Sequence, residues 1–353
     1  MFFSILYYLL TCLTPLCAAH HATNRTISPE LFTSLSELAR IVDITYCVGD
    51  AGTGIHKPFE CLSHCSDLDG FELITTWNTG PFLADSTGYI AFAHNPPQRI
   101  IVAFRGTYSL ANTVLDLSAY PQPYTPYHPE NDTTDTGSSE ACNNCTVHTG
   151  FLTSWHAARR TVLYHVSSAR ARYPDYEVEV VGHSLGGAVA ALAGTEMALR
   201  GWRPRVTTFG EPRVGNADFC RFLDGVFGLD GSGGTGGWGF RRVTHVDDPV
   251  PLLPAAEWGF AMHGGEVFIS RPGTGPGIED VVFCEGDADV RCIAGAESES
   301  EGRSGEQGQV VLSARGGLWD LVPAKYRLWE LLFAHRDYFL RLGLCVPGGD
   351  PTG

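Results

Sequence analysis

The segment Glu177-Val178-Glu179-Val180-Val181-Gly182-His183-Ser184-Leu185-Gly186-Gly187 decides how this chain folds. Glu177–Val181 is a short β-branched run that reads as a strand, and Ala188–Arg200 is an Ala/Leu-rich helix. Between them, Gly182-His183-Ser184-Leu185-Gly186 fits the pattern G-x-S-x-G. In that pattern a sharp strand-to-helix turn lifts a serine hydroxyl clear at the top of an α/β sheet. Glycines on both flanks remove the Cβ atoms that would crowd such a turn. The backbone N–H of Leu185, at the start of the helix, faces where an oxyanion would develop. The bare pentapeptide also fits an ordinary Gly-rich turn. The strand before it and the helix after it are what make Ser184 a candidate nucleophile.

Outward from this point, strand-like runs occur at Phe71–Trp77, Gly88–Ala93, Ile100–Phe104, Val206–Phe209, Arg241–His245 and Glu266–Ile269. Helical patterns occupy Pro29–Val48, with Leu31, Leu35, Leu38 and Val42 on one face, and Gly150–Tyr173, stopped by Pro174. Further helices are expected at Gly215–Phe227 and Phe333–Leu342. This alternation predicts an α/β sheet covered on both faces. Ser118–Thr149, rich in Pro, Asn, Thr and Asp, reads as a surface excursion. Gly228–Gly239 and Ala294–Gly317 read as inserted flexible loops, and no internal repeat is present.

Composition narrows the functional classes. The chain has 353 residues, 44% of them hydrophobic, enough for a full-sized core. A formal net charge of −15 repels phosphate backbones, so nucleic acid is not expected as a partner. Met1–Ala19 is uncharged and apolar up to Ala18-Ala19, and reads as a signal peptide ahead of residues 20–353. No later stretch is long and apolar enough for a stable membrane anchor. Of the 11 cysteines, Cys12 and Cys17 fall in the leader, and several others are close neighbours, as in small disulfide loops of exported proteins. Zinc binding by the Cys61/Cys65 and Cys142/Cys145 pairs is disfavoured by the long separation between them. Asn24, Asn131 and Asn144 begin N-glycosylation sequons, a weak signal on its own.

A serine nucleophile needs a base, and the base needs an acid to orient it; on this turn the chain order is Ser, Asp or Glu, then His. Of 13 histidines only His245, His263 and His335 follow Ser184. His245 lies within the strand pattern RRVTHV, which favours a structural role. The acid belongs at the C-terminal end of a strand, and Asp247-Asp248-Pro249 follows Arg241–Val246. The residues themselves leave Asp247 or Asp248 as the acid, and His263 or His335 as the base.

GHSLGGAVAAL, TFGEPRVGN, DDPVPLLP, WGFAMHGGEVF and HRDYFLRLGLC, in this order, resemble the secreted fungal class 3 lipase family, which also contains feruloyl esterases. The resemblance runs from Leu31 to Cys345 and implies an α/β-hydrolase fold with a central, mostly parallel sheet, helices on both faces and a short helical lid. It further implies one such domain over residues 20–353, without metal or organic cofactor. By the family pattern Asp248 is the acid, His335 the base and His263 structural, while His183 packs or hydrogen-bonds. Arg105-Gly106-Thr107 resembles the family segment whose hydroxyl residue completes the oxyanion hole, which makes Thr107 the partner of Leu185. Tyr108–Tyr120 falls where the family carries its lid, and Leu110, Val114 and Leu117 share one helical face. The resemblance also implies disulfides Cys47–Cys345, Cys61–Cys65, Cys142–Cys145 and Cys284–Cys292, leaving Cys220 unpaired. Departures are the longer Cys61–Cys65 spacing, Leu252 where a histidine is common, and the long inserted loops.

The function expected from the resemblance is a secreted tri- or diacylglycerol lipase, acting on an acyl ester at a lipid–water interface through an acyl-enzyme, with a monomer as the default state. The apolar lid face favours it. A feruloyl esterase is the alternative, because CNNC at Cys142–Cys145 and GEP at Gly210–Pro212 resemble that branch. A catalytically silent lipid-binding scaffold is a third reading, which the full set Ser184, Asp248, His335 and Thr107 opposes.

Overall fold

Strands β1 (Phe71–Asn78), β2 (Thr87–Ala93) and β3 (Arg99–Phe104) form an antiparallel meander at one side of an eight-stranded sheet. From β3 the sheet becomes parallel, through β6 (Glu177–His183), β7 (Arg205–Phe209), β8 (Phe240–His245) and β9 (Glu266–Ile269). β10 (Val281–Phe283) closes the far edge antiparallel to β9. β4 (Pro121–Pro123) and β5 (Thr146–His148) pair separately as a small ribbon. This computed structural model describes residues 25–49, 54–80, 85–107, 120–127, 142–229, 239–296 and 333–346. The leader Met1–Ala19, the lid candidates Leu110, Val114 and Leu117, and the sequons at Asn24 and Asn131 lie outside the described residues.

Alternation along the central strands sorts side chains between two cores, as the period of a strand requires. Ile100, Val102, Phe104, Val178, Val180 and Val206 face the long helix α2 (Thr149–Arg172) and the Ala-rich α3 (Leu185–Leu199). Ile101, Ala103, Val181, Phe209 and Val243 face α1 (Pro29–Ile44). Helix α1 is capped by Ser28, whose Oγ accepts the Leu31 N–H at 3.2 Å, and Pro29 occupies its first turn. It buries Leu35, Leu38, Ile41 and Val42. Helix α4 (Ala217–Phe227) starts at Asn216, whose side chain accepts the Phe219 N–H, and ends on left-handed Gly228.

Three regions differ from the sequence-based expectation. The stretch read as a surface excursion contributes both strands of the β4–β5 ribbon. β10 was not expected at all. Phe333–Leu342 is not a helix: its helical turn ends at Ala334, and a turn and an Asp337–Arg341 bridge follow. Its backbone bonds partly within the segment, as from the Asp337 N–H to the Ala334 carbonyl and the Leu342 N–H to the Arg336 carbonyl, and partly to distant residues. The His335 carbonyl accepts from His183, and the Gly343 N–H donates to buried Asp43 at 2.8 Å. Tyr338 and Leu342 are drawn into the α1-side core, a gain that outweighs the local helical pattern.

Disulfides join Cys47–Cys345, Cys61–Cys65, Cys142–Cys145 and Cys284–Cys292, and Cys220 is free and buried. Glu266 lies close to Cys284 and Cys292, but those sulfurs are bonded to one another and offer no thiolate to a metal. Among the described residues no helix is long and apolar enough to cross a membrane.

Candidate active site

The carboxyl ends of β3, β6, β7 and β8 lie side by side, and the turns leaving them carry Thr107, Ser184, Gly210 and Asp248. Open α/β sheets bind ligands beyond these ends. At the end of β6 the backbone turns through Ser184 with φ 58° and ψ −130°, a strained conformation for a residue with a Cβ. The Ser184 N–H is held by the Phe209 carbonyl at 3.0 Å, and the Ser184 carbonyl accepts from Gly187 at 2.8 Å. Leu185 opens α3, so its N–H has no intrahelical acceptor.

Glycines let these turns meet. A Cβ on Gly182 would strike the Gly186 backbone, and one on Gly186 would lie 2.5 Å from the Phe104 carbonyl oxygen. A Cβ on Gly106 would come within 2.5 Å of the Tyr46 hydroxyl and 2.9 Å of the Ser184 Cβ. Gly106 thereby brings its neighbour Thr107 to the nucleophile turn.

Asp248 and His335 are both fully buried, and His335 Nδ1 lies 2.9 Å from each Asp248 carboxylate oxygen. Tyr338 donates its hydroxyl to Oδ2 at 2.6 Å and Val250 its N–H to Oδ1 at 2.9 Å. Burial alone would raise the Asp248 pKa. The charge of His335 and the hydrogen bonds from His335, Tyr338 and Val250 outweigh it, so the carboxyl is held below its ordinary value. Three buried side-chain atoms here have no hydrogen-bond partner among the described residues: Ser184 Oγ, His335 Nε2 and Thr107 Oγ1. Unpaired buried polar atoms are rare in folded proteins and call for an explanation, which a substrate provides.

The remaining candidates are placed apart from this cluster. Asp247 is exposed. His245 is buried in β8, with Nε2 at 3.1 Å from the Gly273 carbonyl. His263 faces Glu211 of the GEP motif, Nε2 to Oε1 at 2.9 Å, with both side chains buried. Tyr338 escaped the reading of site residues, although it stands three positions after His335 in the HRDYF motif. Tyr46, which bonds His183, carried no sequence signal, because only the fold brings the end of α1 to the nucleophile turn. A separate cavity of about 1000 Å³ lies around Tyr124, Tyr127, Trp155, Arg159, Glu196 and Arg200, and includes none of the cluster. Its Glu196 carboxylate is already paired with both arginines.

Comparison with known proteins agrees with this architecture. Residues 101–258 match the family described as "Lipase (class 3)". The chain is 48% identical to Lipase A of Sodiomyces alcalophilus, covering 96% of this chain and 87% of that protein. It is also 48% identical to secreted mono- and diacylglycerol lipase 2 of Gibberella zeae, over 92% of this chain and 85% of the relative. Among solved structures, Lip2 lipase from Yarrowia lipolytica superposes with a TM-score of 0.74 at 30% identity, covering 91% and 97% of the two chains. Rhizomucor miehei lipase, at 23% identity and a TM-score of 0.65, shares the fold. An α/β-hydrolase sheet with a serine on its central strand-to-helix turn, together with near-full-length identity of this order, makes this chain a member of the class 3 lipase family and an ester hydrolase.

Proposed function

We propose that this lipase is secreted and hydrolyses neutral acylglycerols, with diacylglycerol and triacylglycerol as its substrates. Relatives named as mono- and diacylglycerol lipases support the substrate class. Their description as secreted, together with the disulfides, supports export. The observation that carries the chemistry is the pair of buried, unpartnered atoms, Ser184 Oγ and His335 Nε2, beside an Asp248 that holds the other ring nitrogen. In this reading His335 takes the Ser184 proton as Oγ attacks the ester carbonyl. The tetrahedral oxyanion is received by the N–H groups of Leu185 and Thr107 and by the Thr107 hydroxyl. Asp248 keeps the imidazole in the Nδ1–H tautomer and stabilises the imidazolium that forms. His335 then gives its proton to the departing alcohol, and water activated by the same imidazole releases the acyl group from Ser184. The enzyme acts as a monomer at a lipid–water interface, with Leu110, Val114 and Leu117 as the apolar face of its lid.

The test compares hydrolysis of emulsified dioleoylglycerol and trioleoylglycerol with that of methyl ferulate, using Ser184→Ala as the blank. Glyceride turnover that rises sharply once an interface forms is the expected result. Ferulate turnover without glyceride turnover would overturn the substrate class while leaving the serine esterase chemistry intact.

A further inference from the structure

His183 does more than precede the nucleophile. Its ring is buried and stacks on the His335 ring, with centroids 4.6 Å apart and planes 29° apart. His183 Nε2 lies 2.8 Å from the backbone carbonyl oxygen of His335, and Nδ1 lies 2.6 Å from the Tyr46 hydroxyl. A carbonyl oxygen only accepts, so His183 carries its proton on Nε2 and donates it to His335. The bare Nδ1 then accepts from Tyr46, whose hydroxyl is the donor.

This arrangement acts on a turn that is tied down farther along the chain, by the burial of Tyr338 and Leu342 and by the Cys47–Cys345 disulfide. His335 sits in a turn rather than a helix or strand, so no regular ladder of backbone bonds holds its carbonyl. Asp248 and Tyr338 locate the Nδ1 side of its ring. His183 locates its backbone and one ring face, from a residue covalently joined to Ser184. Base and nucleophile are thereby referenced to the same turn.

We propose that Tyr46 and His183 are positioning residues for His335: the phenol donates to Nδ1 and anchors the His183 ring, and His183 holds the carbonyl and ring of His335 in register with Ser184 and Asp248. The inference rests on His335 being the base. It also requires His183 to stay neutral through the working range, since a doubly protonated ring could not accept from Tyr46 and would set a positive charge against His335. Burial, reinforced by the charge of His335, lowers the His183 pKa to about 3, which meets that requirement. Tyr46→Phe removes a single oxygen atom. Without that donor the Nδ1 lone pair is left buried and unsatisfied, and one of the two hydrogen bonds that locate the His183 ring is lost.

The experiment measures kcat and KM on soluble p-nitrophenyl butyrate for wild type, Tyr46→Phe, His183→Gln, His183→Leu and His335→Ala. Two-bond ¹H–¹⁵N spectra of histidine-labelled wild type and Tyr46→Phe report the ring tautomers. Small displacements of a catalytic group cost up to about 100-fold in rate. Tyr46→Phe is therefore expected to lower kcat about tenfold, with KM within about twofold, and to leave the His183 proton on Nε2, where the His335 carbonyl requires it. His183→Leu is expected to lose about 100-fold in kcat. His183→Gln, which keeps an N–H donor for the carbonyl, should recover about tenfold of that loss. If His183→Leu does not fold, Tyr46→Phe carries the test. Loss of activity in His335→Ala, with kcat within twofold of wild type in Tyr46→Phe and His183→Gln, overturns the relay and leaves the base assignment standing. A fully active His335→Ala overturns the base assignment and the relay with it. A wild-type His183 protonated on Nδ1 could not donate to the His335 carbonyl and overturns the relay, as does a Tyr46→Phe variant whose KM rises while kcat holds, which assigns Tyr46 to substrate binding.

Discussion

Ser184, Asp248 and Thr107 each do a separable part of the proposed chemistry, so substitutions at them fail differently. Asp248→Asn keeps the shape of the buried side chain, but its amide cannot both hold the Nδ1–H tautomer of His335 and balance an imidazolium. A loss of about 10⁴-fold in kcat is expected, measured on a soluble ester with correct folding checked by near-UV circular dichroism. Thr107→Val keeps the backbone N–H and the side-chain volume but deletes the hydroxyl. It is expected to lose about 10²-fold in kcat with little change in KM, because an oxyanion donor acts in the transition state. A rise in KM with kcat unchanged would place Thr107 in ordinary substrate binding. The elbow and its serine were legible at this scale because a strained turn demands glycine on both sides. The choices of Asp248 over Asp247 and His335 over His263 came from family resemblance. The structure places Asp248 and His335 together in the interior, Asp247 in solvent and His263 on Glu211.

Elements meet at the site with almost no slack. The turns after β3 and β6 approach through Gly106, where a methyl group would press on the Tyr46 hydroxyl, the His183 carbonyl and Ser184 at 2.5–2.9 Å. Gly106→Ala is expected to destabilise by about 1–3 kcal/mol, the cost of overpacking, and to depress activity further than its stability loss explains. Thermal melts together with activity on the folded fraction separate the two effects. The C-terminal segment is tied down by the Cys47–Cys345 disulfide, which spans a sequence separation of 298, and by the Gly343 N–H bond to Asp43. The double variant Cys47→Ser/Cys345→Ser is expected to lose about 2–5 kcal/mol in urea unfolding. Full stability in that variant would show that packing of Tyr338 and Leu342, with the Gly343–Asp43 hydrogen bond, holds the segment without the disulfide.

For the molecule as a whole, histidines buried without charge contribute to acid stability. Burial lowers the pKa of His183 to about 3 and that of His148 to about 4. Unfolded, each takes up a proton near pH 6.5. The unfolded chain therefore binds more protons below that pH, and this stabilisation, intact above about pH 6.5, is lost progressively down to about pH 3–4. Asp248, held below its ordinary value, adds a loss of the same sign at the acid end, below the unfolded carboxylate range. The net charge of −15 works in the opposite direction, because protonating carboxylates relieves repulsion. The informative quantity is thus a difference: the urea midpoint of wild type is expected to fall more steeply between pH 7 and pH 4 than that of His183→Gln. Parallel curves would mean that His183 does not stay neutral in the fold.

The sequence by itself determined the α/β class, most central strands and helices, and the serine on its elbow. Those features are local, being strand and helix periods joined by a turn that only glycine-flanked residues can make. Pairing of strands across the sheet, the edge strand Val281–Phe283 and the non-helical course of Phe333–Leu342 were decided by tertiary structure. In the last case local pattern favoured a helix, but burial of Tyr338 and Leu342 and backbone bonds to His183 and Asp43 outweighed it. The contacts of Tyr46 and Tyr338 with the site belong to the same class of fact. Each depends on residues far apart in the chain being brought together, and no local spacing encodes that.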